Sequence, residues 1–490
     1  MDLSQMSENA CYSKRFNKIF VVEMMERFGF YAFNTIIVMF FVMQFNLPKS
    51  TAYSLFGAFS ALLYIFIPIG GWVGDSYLGT KRTIILGGIV LLAGYLILAS
   101  SMSIELVYLG MATIIVGNGL FKSNPGSLLS KIIKRGDIAR RDSAYSIYYM
   151  SINVGSVVSQ MISPFVAHKY GWQYGFAVAA IGLIIGLINF YCGKKYFKGV
   201  ASKADELKFS IKKTLNVIGL SIVTVIICSF LLNFVTLTNY LMVVLVSFGF
   251  LFFLYLATKQ KKGERGKMIS ALVLIGIAII FYSLYNQMFT SLTFFGAQNT
   301  VHTIFGISIY PEQYQLLNPA TIMIFAPILA WIYKWQGRKN KNVKMTTKFT
   351  FGLFISALAF LVLVPSMYFS NGHGIVSSNW IVAAFFLISI GELLVAALGA
   401  SMVSQLVPEK LMGFAIGMWY LAMAMAGVTG AVIANMTQPS SAPMTAVQSL
   451  PVYCHAFMMI GIITLCATVL MFVVKLILDR FIYSGNKIAA

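Results

Sequence analysis

The chain has 490 residues, of which 59% are hydrophobic and only 10% charged, and its formal net charge is +21. Mean hydropathy is +0.81, whereas a soluble domain averages about 25% charged residues. Composition therefore excludes a soluble enzyme and points to a polytopic membrane protein. The surplus Lys and Arg lie in short loops between apolar runs, which excludes a nucleic-acid-binding face and reads as topology information.

A spanning helix needs about 20 apolar residues. About fourteen such runs are predicted, with cores near 19–43, 54–74, 82–100, 106–130, 143–167, 174–196, 212–234, 239–257, 269–296, 316–335, 348–368, 379–406, 411–435 and 451–478. The polar start, followed by Lys14, Arg15 and Lys18, carries no convincing cleavage site. The first helix is therefore expected to stay in the mature protein.

That first span contains VVEMMERFGFYAFN, Val21 to Asn34. Glu23 and Arg27 are i and i+4, Glu23 and Glu26 are i and i+3, and such neighbours share a helix face. Tyr31 and Asn34 fall on the same face at 100° per residue. The opposite side, with Met24, Met25, Ala32 and Ile36, faces either lipid or a packed neighbour. A charge at bilayer depth costs about 2.5–3.5 kcal/mol on insertion scales and usually marks a substrate or ion pathway. Three charges in one span call for such a role.

The second span ends in GGWVGDSYLGTKR, with Asp75, Gly79, Lys81 and Arg82 at a tight basic turn. The fourth carries GNGLFKSNPG, in which Lys122 either snorkels to the surface or pairs with Glu23 or Glu26. Asn124 and Pro125 loosen the helix just beyond it. The fifth carries YSIYYMSINVGS, with Tyr149 and Asn153 at i and i+4. That strip is either a hydrogen-bonding surface or polar glue between helices.

Loop charges test the count. Lys81 and Arg82 follow the second span. Lys131, Lys134, Arg135, Arg140 and Arg141 follow the fourth, and basic clusters recur after every second span to the tail at Lys475, Arg480 and Lys487. The intervening loops hold only Lys49 and Lys169, with no Lys or Arg between Ala297 and Pro319 or between Met436 and Tyr453. An even number of spans with both termini cytoplasmic follows. The spans divide six, two and six. The predicted domains are an N-terminal six-helix bundle (residues 1–200), an inserted lipid-exposed helix pair with basic linkers (201–266) and a C-terminal six-helix bundle (267–490). The five cysteines (Cys11, Cys192, Cys228, Cys454 and Cys466) are scattered without metal-ligand spacing and are expected to be free, buried thiols.

In the second half, Glu392 is the one acid that the predicted spans contain, and no span there offers it a basic partner. The four histidines (His168, His302, His373 and His455) fall at outward loops or helix ends and are expected to be solvated.

The loop from Gly71 through Asp75 and Gly79 to Lys81 and Arg82 resembles the G-x-x-x-D-R-x-G-x-R-R turn of major facilitator transporters, with Ser76 for the first Arg. Three segments then bring a narrower resemblance. Glu23-x-x-Glu26-Arg27-Phe28-x-x-Tyr31 is similar to the E-x-x-E-R-F-x-Y-Y of proton-dependent oligopeptide transporters. Tyr148-Tyr149-x-x-Ile152-Asn153-x-Gly155-Ser156 is similar to their F-Y-x-x-I-N-x-G-S, with Tyr148 for Phe. GNGLFKSNPGSLLSK, SIGELL around Glu392, YPEQYQLLNP ending at Asn318 and Pro319, and LVPEKLMGFAIGMW ending at Trp419 extend it along nearly the whole chain. Within that family the chain resembles the bacterial dipeptide and tripeptide permeases, which also insert two helices between their halves.

The resemblance implies an all-α major facilitator fold and a proton-coupled symporter importing di- and tripeptides, and peptide-like drugs, by alternating access, the halves rocking about a central site. It implies a multi-pass protein of the bacterial inner membrane, working as a monomer among lipids, with protons as coupling ion and no cofactor. A zwitterionic peptide needs an acid at one end and a base at the other. By resemblance Glu392 binds the amino group, assisted by Asn153 and Asn318, while Lys122 and Arg27 face the carboxylate. Tyr31, Asn34, Tyr64 and Tyr149 line the site, and Phe281 and Trp419 form side-chain pockets. Proton coupling falls to Glu23, Glu26, Arg27 and Lys122, because a carboxylate beside a cation stays ionised and one separated from it in a dry site takes a proton. Asp75, Lys81 and Arg82 are assigned to conformational control. Two departures are visible. Asn34 stands where many members carry Arg, and Ser54 where some carry His. The rivals are a relative carrying another zwitterion or an anion, such as nitrate or histidine, and a channel or receptor. A simple anion is disfavoured by Glu392, and a channel needs no charge constellation of this kind.

Overall fold

The computed structural model describes residues 8–133, 137–200, 202–304, 306–339, 343–396, 399–438 and 444–483. Lys134, Arg135 and Lys487, counted among the loop charges, lie outside them. Thirteen of the described helices are long and apolar enough to cross a membrane, and the shorter Asn379–Val395 occupies the remaining predicted span. Helices are what such a sequence must form, because in hydrocarbon each backbone N–H and C=O has to be satisfied within its own segment. A two-stranded hairpin, β1 (Thr303–Ile304) with β2 (Ile307–Ser308), is the departure from the all-α expectation. It lies in a loop.

The chain forms two compact units. The first comprises the residues up to Asn46 together with Leu62–Val235, and the second Leu47–Ala61 together with the residues from Thr236 onward. The boundary therefore cuts the second span, and it cuts the inserted pair between its two members.

In the first unit, α1 (Glu8–Phe45) runs between α6 (Ile138–Tyr170) and α7 (Trp172–Cys192). The apolar side of α1 faces packed neighbours and not lipid: Ala32 and Ile36 are fully buried. Close approach explains why. A Cβ added at Gly155 of α6 would stand 2.3 Å from the Met24 carbonyl oxygen, and one at Gly186 of α7 2.7 Å from Met25 Cβ. Small residues let helices approach this way where no hydrophobic force separates them from lipid. α2 (Lys49–Trp72) continues into a π turn, Val73–Tyr77, and Gly79 then turns the chain at φ +105°. α3 (Thr80–Ala99) packs along α4 (Ile104–Lys122) and α7. The predicted loosening after Lys122 is a real break. α5 (Asn124–Ile132) starts anew with Pro125 in its first turn, a position that needs no N–H donor. A short α8 (Lys203–Glu206), capped by Ser202, leads to α9 (Ile211–Asn233), which lies along α4.

In the second unit, α10 (Val235–Thr258) sets Gly249 against Leu421 and Met418. α11 (Lys262–Tyr285) packs on α17 (Met412–Asn435), and α14 (Met345–Leu361) on both α15 (Asn379–Val395) and α18 (Ala446–Tyr483). α12 (Ser291–Asn299), α13 (Leu317–Arg338) and α16 (Gly399–Leu406) complete it. Both members of the inserted pair keep most of their large side chains exposed, among them Leu220, Ile226, Phe248 and Leu251. The cysteines are free, but only Cys228 and Cys454 are buried, while Cys192 and Cys466 are exposed and Cys11 is half-buried. Apolar flanks made burial the natural expectation, yet an apolar helix in a membrane can turn the same flank outward.

Candidate functional site

The first unit gathers the charges of α1 and α4, with Tyr148 of α6 beside them. Glu23, Glu26 and Arg27 are 1%, 0% and 3% exposed, so the charged part of the α1 strip is buried. Both acids pair with Arg27, but unequally. Arg27 makes a two-pronged contact with its neighbour Glu26, Nε to Oε2 and Nη2 to Oε1, both at 2.5 Å. Glu23, one turn away, is the looser partner at 3.8 Å from Arg27 Nε. Long side chains reach round the helix, and the guanidinium fork favours the carboxylate it can grip with two bonds.

Asn118 of α4 donates to Glu26 Oε1 at 3.5 Å. It lies one turn before Lys122 in GNGLFK, and that i, i+4 spacing is the signal that would have exposed it. Lys122 is half-buried and within electrostatic reach of Glu23 and Glu26, but it makes no ion pair within 4 Å among the described residues. Tyr148 of α6 interacts with Glu23. Its signal was the single mismatch, Tyr for Phe, in the fifth-span motif. The second oxygen of Glu23, Oε2, is buried with no hydrogen bond among the described residues. The Arg27 guanidinium also stacks 4.9 Å from the Phe30 ring.

Further along, Asn34 is buried and Tyr31 half-buried. Asn153 is buried but donates to the Tyr149 carbonyl of its own helix at 2.9 Å. Tyr149 is 41% exposed, and Tyr64 is half-buried. The structure thus joins Glu23, Glu26 and Arg27 directly and places Lys122 near them, whereas the side-chain amide of Asn153 donates within its own helix.

At the turn after α2, Asp75 Oδ1 accepts from Lys131 Nζ at 2.8 Å and from Ser127 Oγ at 3.0 Å, tying the turn to α5. Lys81 donates to the Val200 carbonyl at 2.9 Å and Arg82 to that of Leu207 at 3.0 Å, so both clasp the linker to α9.

The second unit holds a separate cluster. Asn318 of α13 donates through Nδ2 to Glu392 Oε2 at 2.7 Å and to Ser389 Oγ at 3.0 Å. Ser389 went unnoticed in the sequence, although it precedes Glu392 by three residues and so shares its face. Glu392 is half-buried and has no cationic partner within 4 Å among the described residues. It is not the sole acid within the helical segments here. Glu312, in the turn leading into α13, is fully buried. The predicted span began past it, because a turn rich in Gln and Tyr does not read as apolar. Phe281 and Trp419 are 0% and 7% exposed and belong to the buried core. The Trp419 indole presses on Gly399, where an added Cβ would come within 2.3 Å. Ser54 accepts from Asn435 at 3.4 Å, and all four histidines are exposed.

Chemically, the first cluster balances two carboxylates against two cations and can exchange a proton or an anion. The second offers a carboxylate fixed by an amide and no cation of its own, which suits an ammonium.

The POT family model matches residues 81–450. Dipeptide and tripeptide permease A of Yersinia pestis is 44% identical over 461 residues, covering 94% of this chain and 91% of that protein. Dipeptide and tripeptide permease B of Salmonella typhimurium is 40% identical over 468 residues, covering 95% and 96%. Among solved structures, tetrameric PepTSo2 superposes with a TM-score of 0.86 at 31% identity over 96% of this chain and 99% of that one. A bacterial homologue of the human drug peptide transporters PepT1 and PepT2 does so at 0.84 and 30%, over 96% and 99%.

Proposed function

The chain belongs to the POT family, and on that premise we propose that it is a proton-coupled symporter carrying di- and tripeptides across a membrane by alternating access. The observation that carries the reading is the buried Glu23, Glu26 and Arg27 cluster with Lys122 beside it. Two acids and two cations sum to zero, so one added proton leaves a net positive charge that a peptide carboxylate can balance.

The geometry divides the labour. Arg27 is committed to Glu26 by two bonds. Lys122, with no direct ion pair among the described residues, is the cation open to a carboxylate. Glu23, held loosely and with one oxygen lacking a hydrogen bond, is the acid that takes the proton. Once protonated it stops attracting Arg27 and Lys122, which is how proton binding favours a carboxylate ligand nearby. Glu392, oriented by Asn318, takes the ammonium. Tyr31, Asn34, Tyr64, Tyr149 and Asn153 supply hydrogen bonds to the peptide, and Phe281 and Trp419 shape the wall behind Glu392. Asp75, Lys81 and Arg82 stiffen the turn between α2 and α3 so that it moves as one piece with α5 and the linker. Protons are the coupling ion, and a membrane potential adds about 2.3 kcal/mol per charge per 100 mV. The loop charges support a reading with both termini in the cytoplasm of a bacterial cell, and the monomer is the proposed working unit.

The test is uptake of labelled dialanine into proteoliposomes with an imposed pH gradient. Gradient-stimulated uptake that unlabelled dipeptides suppress is expected. Uptake that ignores the gradient and is not blocked by other dipeptides would sink the reading.

A further inference from the structure

A cleft of roughly 290 Å³ opens on the apolar surface of the first unit, walled by α2, α4 and α9. Its back is the tightest helix crossing there: a Cβ added at Gly70 would stand 1.8 Å from the Gly119 carbonyl oxygen. Its sides are Phe66, Val116, Leu120 and Val217, and its rim carries Ile69, Trp72 and Leu220, which are 49%, 59% and 68% exposed. Unfilled apolar space forfeits dispersion contacts, and in a bilayer the material at hand to fill it is an acyl chain. The volume is near the lower end of the ~300–1,000 Å³ of ligand pockets, so it suits part of one chain and not a whole lipid.

One end of the cleft is polar and cationic. Tyr77 stacks on Trp72 with ring centroids 5.9 Å apart. Asn216 donates to the Tyr77 hydroxyl at 3.2 Å, and Lys213 Nζ sits 5.3 Å from the centre of the same ring. Lys213, Val217 and Leu220 follow one another at i, i+4 and i+7, so the ammonium stands over the same face of α9 that walls the cleft. This is the end with Lys81 and Arg82, where an aromatic pair and a lysine match the headgroup level of a bilayer. Basic pockets between helices at that level bind anionic lipid headgroups.

We propose that this cleft is a binding site for one anionic glycerophospholipid, its acyl chain between α2, α4 and α9 and its phosphate at Lys213 and Asn216. A neutral lipid would fill the apolar part but leave Lys213 without a counter-charge. The bound lipid completes the seam between the first inserted helix and the bundle, a seam that protein side chains leave open.

The full-length chain, purified in neutral detergent and supplied with phosphatidylglycerol, phosphatidylcholine or inorganic phosphate, provides the test, with bound lipid read by native mass spectrometry. The wild type should retain one phosphatidylglycerol in preference to phosphatidylcholine. Lys213→Gln should lower phosphatidylglycerol retention about fivefold, the effect of one lysine at a bilayer surface, and leave phosphatidylcholine unchanged. Ser221→Phe fills the cleft and should lower retention of both, with Leu220→Trp as a second filler from the exposed rim. Unchanged elution and helicity check that each variant folds. Equal phosphatidylglycerol retention by the wild type and all three variants would overturn the proposal. So would displacement of the lipid by inorganic phosphate alone, or a change of oligomeric state on filling the cleft, which would make a second copy of the chain the occupant.

Discussion

Replacing Glu392 with Gln tests the proposed ammonium site with little structural disturbance. Gln keeps the length and volume of Glu, and its amide oxygen can still accept the 2.7 Å bond from Asn318 Nδ2. What disappears is the negative charge. No cation lies within 4 Å of Glu392 among the described residues, so the substitution strands no partner. In the proposed binding mode the ammonium takes the carboxylate oxygen not held by Asn318. A hydrogen bond to a charged group contributes about 1.5–3 kcal/mol, which corresponds to about 10- to 150-fold in affinity. Dialanine should therefore bind the wild type that much more tightly than N-acetyl-dialanine, which carries no ammonium. In Glu392→Gln the two should bind alike, because dialanine weakens while the acetylated peptide does not. Equilibrium binding on the purified protein reads both ligands, and the acetylated peptide serves as the internal control for general damage. A variant that still prefers the free amino terminus by the wild-type factor would refute the assignment and direct attention to Glu312.

Glu23→Gln should leave peptide counterflow intact while abolishing stimulation by a pH gradient. A wild-type response to the gradient would remove Glu23 from coupling. Glu26→Gln breaks the two-bond grip on Arg27, and removing one partner of a buried pair costs about 3–5 kcal/mol. Glu23, already 3.8 Å away, can recover part of that, so the lower end is expected in unfolding measurements. Glu23→Gln should cost less, and the reverse order would contradict the pairing described. Gly155→Ala forces a Cβ to within 2.3 Å of the Met24 carbonyl oxygen, and the separation of α6 from α1 should cost about 1–3 kcal/mol. Gly276→Ala, whose Cβ meets nothing within 4 Å, should be neutral or slightly stabilising, since Ala exceeds Gly in helix propensity by about 1 kcal/mol.

The fold was legible because a membrane span leaves the sequence few choices. Length, hydropathy and loop charge located the helices from 8–45 to 446–483, including Asn379–Val395, which carries Glu392. Side-chain pairing was less legible. Helical spacing gives the angle at which Glu23, Glu26 and Arg27 leave the backbone, and it brings Glu23 and Arg27 to one face. It does not say which of two reachable acids a flexible guanidinium will grip, and Arg27 grips Glu26. That asymmetry bears on function more than the charge count does. Had Arg27 divided itself evenly, Glu23 and Glu26 would be interchangeable and Lys122 one cation of two. With Arg27 fixed on Glu26, and Asn118 on the same carboxylate, the remaining pair is Glu23 and Lys122, an acid and a base with no direct bond to each other. A proton on Glu23 then changes the environment of Lys122 without first having to break the buried Arg27 pair. Coupling by that route requires the Glu26–Arg27 pair to persist while Glu23 titrates, so Glu26→Gln should impair folding and transport together, whereas Glu23→Gln should separate them.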